Sequence, residues 1–235
     1  MNRFHFSALV VCCLALAPVL HAQDTTASPS KKKGIEVRLL ATGLLDKADE
    51  VVVRSADGEG QSEPVLLPTS NLSDPVAVAK RSLVLSLPPE GDQEFGRTVG
   101  KVQLPQTGRR FLLLLVPAKE KQSYRIRVVR LDDPAFRPGH VCFFNLSPVL
   151  VGGELGKRKF SVAPGKLAFA TPPAQRDLPY YQVRFFYKTK NQTRIFADTR
   201  WPFDDRARSY VIFFAKGQRI TYHSIDEVVP KGKKN

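Results

Sequence analysis

The chain has 235 residues, a formal net charge of +14 and an apolar fraction of 43%. That fraction is enough for a packed core and excludes wholesale disorder. Eighteen prolines and fifteen glycines, spread between short apolar runs, point away from long helices.

Residues 1–22 have the pattern of a secretory signal peptide: Arg3, then the small and apolar run Ala8 to Ala17, then Ala22 before the expected cleavage point. The run is too short to span a bilayer, which takes about 20 residues. Val11 precedes Cys12 where a lipoprotein signal has a small residue, so no lipid anchor is read. The expected location is therefore periplasmic or secreted. Cys142 is the sole cysteine outside this segment and sits beside Val141, Phe143 and Phe144, so it is expected to be buried and unpaired. Residues 23–34 are polar and aperiodic and read as a flexible leader, and the Lys-rich segment 228–235 reads as a tail.

Between these ends the dominant period is two. Ile35, Val37 and Leu39 alternate with Glu36 and Arg38; Tyr124, Ile126 and Val128 alternate with Arg125 and Arg127; Ile220 and Tyr222 alternate with Thr221 and His223. This is the pattern of strands with one buried face. Turn signals separate them at Gly58, Gly91, Gly108, Pro138-Gly139, Gly152-Gly153 and Pro164-Gly165. About fourteen short strands are expected, and the fold class is all-β, as tandem Ig-like β-sandwiches or as a single larger sandwich. The longest later apolar run, Phe111 to Val116, is strand length, so no transmembrane segment is expected.

A weak internal repeat favours two units. Arg110 to Asp133 and Arg208 to Glu227 each read as an apolar strand, a charged turn, an alternating strand and an acidic close. The expected domains are residues 35–133 and 139–227, joined by a linker from Asp133-Pro134 to Pro138-Gly139. The halves differ in chemistry. Residues 35–133 hold 14 Lys/Arg and 14 Asp/Glu, whereas residues 134–227 hold 15 and 7. Phe95, Phe111 and Tyr124 are the aromatics of the first domain, against sixteen in the second.

The hairpin from Tyr180 to Trp201 is the most distinctive segment. Tyr181, Val183, Phe185 and Tyr187 share one parity; Ile195, Ala197 and Trp201 are placed with them. The other face then carries Arg184, Lys188, Arg194 and Arg200 around Phe186 and Phe196. Such a face suits an extended polyanion, since cations attract its charge and rings give flat apolar contact.

Other chemistries find little support. His140, Cys142 and His223 could offer two nitrogens and a sulfur to a soft metal, but no methionine completes the set, and no metal or cofactor is expected. No serine lies in a G-x-S-x-G setting, and Asp132-Asp133 and Asp204-Asp205 read as turn residues. Asn71, Asn145 and Asn191 head glycosylation sequons.

His140-Val-Cys-Phe-Phe-Asn-Leu-Ser147, Gly156 and Phe160-Ser-Val-Ala-Pro-Gly165 together resemble the opening of certain uncharacterised bacterial envelope domains, in which a strand ending in Asn-x-Ser is followed by a short strand and a Pro-Gly turn. The resemblance covers residues 139–173. It implies a secreted β-sandwich and brings no catalytic residues. The expected function is a non-catalytic binding module of the cell envelope that contacts anionic polymer or lipid headgroups through its second domain. The alternatives are a structural subunit of an envelope protein assembly and a hydrolase without a motif. No specific nucleic acid is expected as a partner.

Overall fold

The computed structural model describes residues 34–46, 48–173, 179–189 and 192–229. The expected signal peptide, the leader apart from Gly34, and the tail from residue 230 lie outside the described residues. The first eight strands are β1 (Ile35–Ala41), β2 (Glu50–Ser55), β3 (Val65–Leu66), β4 (Val76–Val78), β5 (Ser82–Ser86), β6 (Thr98–Gln103), β7 (Arg110–Ala118) and β8 (Ser123–Arg130). They form two sheets, ordered β4-β1-β7-β8 and β3-β2-β5-β6. The next eight are β9 (Val141–Asn145), β10 (Val151–Leu155), β11 (Arg158–Val162), β12 (Leu167–Ala170), β13 (Tyr180–Lys188), β14 (Thr193–Pro202), β15 (Ala207–Lys216) and β16 (Arg219–Val228). Their sheets are ordered β12-β9-β15-β16 and β11-β10-β13-β14. Adding eight to every strand number of the first pair of sheets yields the second pair.

The protein is thus all-β, with tandem sandwiches of the same topology. The correspondence extends to register. Val37 lies opposite Phe111 and Ala41 opposite Leu115 in the parallel β1–β7 pair, while Val141 lies opposite Ser209 and Asn145 opposite Phe213 in the parallel β9–β15 pair. Strand β16 runs on through Val228, and the Val229 N–H donates to the Arg206 carbonyl at 2.9 Å. Val228 and Val229, expected to open the tail, are thus tied to the sheet.

Three apolar layers separate the four sheets. The first sandwich encloses Val37, Leu39, Val51, Leu83, Leu85, Phe111, Leu113 and Leu115. The second encloses Val141, Phe143, Val183, Phe185, Val211 and Phe213. Between the two sandwiches lies a third layer, in which Leu40, Leu112, Leu114 and Val129 meet Cys142, Phe144, Tyr210, Ile212 and Ile225. Strand β7 is buried on both faces, which explains its unbroken apolar run: alternation is lost when neither side meets water. The Cys142 thiol is fully buried in this seam, and burial pushes its pKa up.

One end of the seam is closed by a buried ionic network. Arg38 Nη1 donates to Glu227 Oε1 at 2.7 Å and the Tyr210 hydroxyl donates to Glu227 Oε2 at 2.6 Å. Arg208, only 3% exposed, donates from Nη1 to the Leu131 carbonyl at 2.6 Å. Its guanidinium also lies 5.4 Å over the Phe136 ring. Phe136 belongs to the expected linker, yet it is buried and stacked on Phe169 at 5.0 Å. The connection is an anchored part of the seam.

Two local readings change. Gly152-Gly153, taken as a turn, lies inside β10. A Cβ on Gly152 would meet the Phe186 ring at 2.4 Å, and one on Gly153 would meet the Phe160 ring at 2.2 Å. The two glycines make room for one ring on each face of the sheet. Asn145, read as a sequon, is fully buried. Its Nδ2 donates to the Val149 and Val162 carbonyls at 2.7 and 2.8 Å, and its Oδ1 accepts from the Ser147 N–H and hydroxyl. The Asn-x-Ser motif is a turn clamp, closed to glycosylation.

Candidate anion-binding surfaces of the second sandwich

Strand β13 keeps the expected parity: Tyr181, Val183, Phe185 and Tyr187 are buried, and Gln182 and Lys188 are exposed. Strand β14 does not keep one parity along its length. Phe185 lies opposite Ala197 but Phe186 lies opposite Ile195, so Phe196 is the extra residue of a bulge. Beyond the bulge, Asp198 and Arg200 face outward opposite Arg184 and Gln182. Before it the parity flips: Ile195 faces outward with Phe186, and Arg194 shares the inner side with Tyr187. The Phe196 ring turns inward and packs on Phe185, Tyr187 and Phe213 at 6.0, 5.9 and 5.9 Å between centroids. Burying a phenylalanine is worth about 1.5–3 kcal/mol, which favours the bulge over leaving this ring in water.

The expected six-residue face is therefore divided. On the outer face, Lys159, Glu154, Arg184 and Asp198 stand in register across four strands with alternating charge. Arg184 donates from Nε and Nη2 to Asp198 Oδ2 at 3.1 and 3.0 Å, and its Nη1 lies 3.5 Å from Glu154 Oε2. Gln182 Nε2 also donates to Asp198. Arg184 is thus a strut between two carboxylates. Lys188 and Arg200 remain exposed on this face, with the Arg200 guanidinium 5.1 Å over the Tyr180 ring. Arg200 stands opposite Gln182, six residues from Lys188 along β13, or about 20 Å at ~3.3 Å per residue. They cannot share one anionic group.

Arg194 and Phe196 enter a different surface. At the open end of the second sandwich they line a pocket of about 530 Å³ with Tyr187, Ile195, Lys216, Arg219, Ile220 and Thr221. Tyr187 and Ile220 are each only 7% exposed and form an apolar floor. Lys216 and Arg219 are cross-strand partners at the start of the β15–β16 hairpin, where Gly217 takes φ 61°. No Asp or Glu is among the described lining residues, and none is ion-paired with these three cations. Like charges lining one pocket over a low-dielectric floor produce a field that an anion relieves. Lys216 and Arg219 went unremarked in the sequence because they looked like an ordinary charged turn. The tertiary fold is what brings that turn to the end of the β13–β14 hairpin.

Of the groups weighed for catalysis or metal binding, His140, Asp132 and Asp204 are engaged elsewhere. His140 Nδ1 lies 2.9 Å from the Ala135 carbonyl and Nε2 lies 3.3 Å from the Thr171 hydroxyl. Asp132 accepts from the Arg109 N–H and from Arg130 Nε, both at 2.8 Å. Asp204 accepts from Arg206, whose hydrogen bonds hold its carboxyl below the usual range. Comparison with known proteins finds no matching family model and no matching curated protein.

Proposed function

We propose that the chain is a non-catalytic binding module of the cell envelope, secreted or periplasmic, that holds an anionic polymer through its second sandwich. The observation that carries the reading is the end pocket: Arg194, Lys216 and Arg219 surround an apolar and aromatic floor without a carboxylate. Anionic sugars fit this chemistry, their charged groups meeting the cations and a ring face meeting Phe196 and Tyr187. The turn and strut roles of His140, Asp132 and Asp204 support a non-catalytic role.

The test is titration of the full chain with oligogalacturonate at low and high salt. Replacing Arg194, Lys216 and Arg219 together by Gln should weaken binding about tenfold or more at low salt, since each exposed contact supplies about 0–1 kcal/mol and 1.4 kcal/mol is tenfold. The Lys188→Gln/Arg200→Gln pair should bind like the parent. Equal binding by the triple variant, with an unchanged melting temperature, would remove the pocket from the proposal.

A second reading, a structural subunit of an envelope assembly, draws on the outer face of the same sandwich. There Phe186, its ring laid over Gly152, and Ile195, 57% exposed, form an apolar row. Protein docking on that row would resist salt, whereas polyanion binding weakens steeply with it.

A further inference from the structure

The seam between the sandwiches is sealed at one end by Arg38, Glu227, Tyr210 and Arg208, and open at the other. At the open end lies a cavity of about 530 Å³ whose walls come from both sandwiches. Ala41, Val116 and Pro117 line one side, and Leu146, Ile212 and Phe214 line the other. It continues the seam's apolar layer, since Ile212 belongs to that layer and Val116, Leu146 and Phe214 pack against it. Polar groups lie toward solvent. Thr69 is exposed, and His223 stands opposite Ile212 on β16, on the seam side. The Thr42 hydroxyl is engaged by the Leu115 carbonyl at 3.3 Å.

We infer that this cavity binds a single acyl chain whose carboxylate head meets His223 and Thr69 at the mouth. Two facing sheets leave one layer of side chains between them, about 10 Å from backbone to backbone. The occupant must therefore be as slim as an aliphatic side chain, and the walls are mostly aliphatic. The volume falls within the range of small-molecule sites, which pair apolar walls with a few polar groups. The chain would extend the seam's core where protein side chains stop. This inference is independent of the cationic end pocket, which shares no lining residue with the cavity.

The experiment is calorimetric titration and thermal melting of the full chain with decanoate below its micelle concentration, with acetate as the chainless control. Decanoate should bind once per chain, raise the melting temperature and show a negative heat-capacity change from apolar burial. Acetate should do none of these. Thr69→Trp and Thr42→Trp, both at exposed positions lining the mouth, should each weaken decanoate tenfold or more while shifting the ligand-free melting temperature no more than an ordinary surface substitution does. His223→Ala should weaken it about threefold, the size of one hydrogen bond. The Arg194→Gln/Lys216→Gln/Arg219→Gln variant should bind decanoate like the parent. An equal effect of acetate, tight binding by both Trp variants, or loss of decanoate binding in the triple Gln variant would each overturn the inference.

Discussion

The two sandwiches repeat one strand order and one register, yet their interiors and surfaces have diverged. The first core is almost entirely aliphatic. The second stacks rings: Phe143 lies on Phe160 at 4.1 Å and on Phe213 at 5.7 Å, and Phe185 meets Phe213 edge-on at 5.0 Å. The surfaces differ in the same way. In the first sandwich Lys80 lies between Asp57 and Glu59, Arg110 faces Glu36, and Arg130 holds Asp132. The second leaves Arg194, Lys216 and Arg219 around one pocket. A shared topology thus tolerates exchange of its filling and its charge, and the departures between the copies are where a specific role is written.

The seam gives the largest expected effect. Glu227→Ala would leave Arg208 and the Tyr210 hydroxyl buried without their acid, a loss of about 3–5 kcal/mol, read as a lower urea midpoint. A change below 1 kcal/mol would show that the sandwiches do not depend on this latch. Next comes the comparison of cores. Leu115 and Phe213 occupy equivalent register positions. Leu115→Ala should cost about 2–5 kcal/mol and Phe213→Ala about 3–5 kcal/mol, with the second variant also loosening Phe143, Phe185 and Phe196. Equal costs would make the ring cluster no more cooperative than the aliphatic core.

The third effect depends on pH. Burial, then the nearby Glu227 charge, raises the Tyr210 pKa above the free value of 10.0. Below that value the phenol is neutral in both folded and unfolded chains, so its contribution is intact. Above it the unfolded chain releases the proton and the folded chain retains it, so stability falls as pH rises. Burial also raises Tyr124 and Tyr181, so Tyr210→Phe should flatten the alkaline fall in melting temperature only in part. An unaltered slope would assign the whole effect to the other two.

The smallest effect concerns the outer face. Asp198→Asn removes one carboxylate partner of Arg184 and should shift stability by at most about 1 kcal/mol. It should also add weak, salt-sensitive binding of oligogalacturonate to a face that otherwise lacks it. No gain would show that Glu154 alone neutralises Arg184.

Much of this architecture was legible in the residues. Period-two alternation marked the strands, and the likeness of Arg110–Asp133 to Arg208–Glu227 marked the repeat that the register now displays. Parity on β13 was also readable. The β14 bulge was not, because strict alternation offers no place for an extra residue, and Phe196 and Arg194 were therefore assigned to the wrong side. Gly152-Gly153 misled because a strand glycine that admits a neighbouring ring looks like a turn until the ring's strand is known. The seam left a trace in the unbroken run from Phe111 to Val116, which signals burial on two faces but does not name the opposing surface.

That seam has a consequence for how the molecule holds together. Each sandwich presents the same face, that of its parallel-paired first and seventh strands, so the contact is of the self-complementary kind found in twofold dimers. Here the two halves are joined by Asp133-Pro134 to Pro138-Gly139, with Phe136 buried between them. A pairing that would dissociate on dilution in separate chains is made intramolecular, at an effective concentration fixed by a few residues of connection. Stability across the seam should then be the same at nanomolar and millimolar protein, and equivalent positions of the two copies are free to specialise, as Arg38 and Cys142 have done.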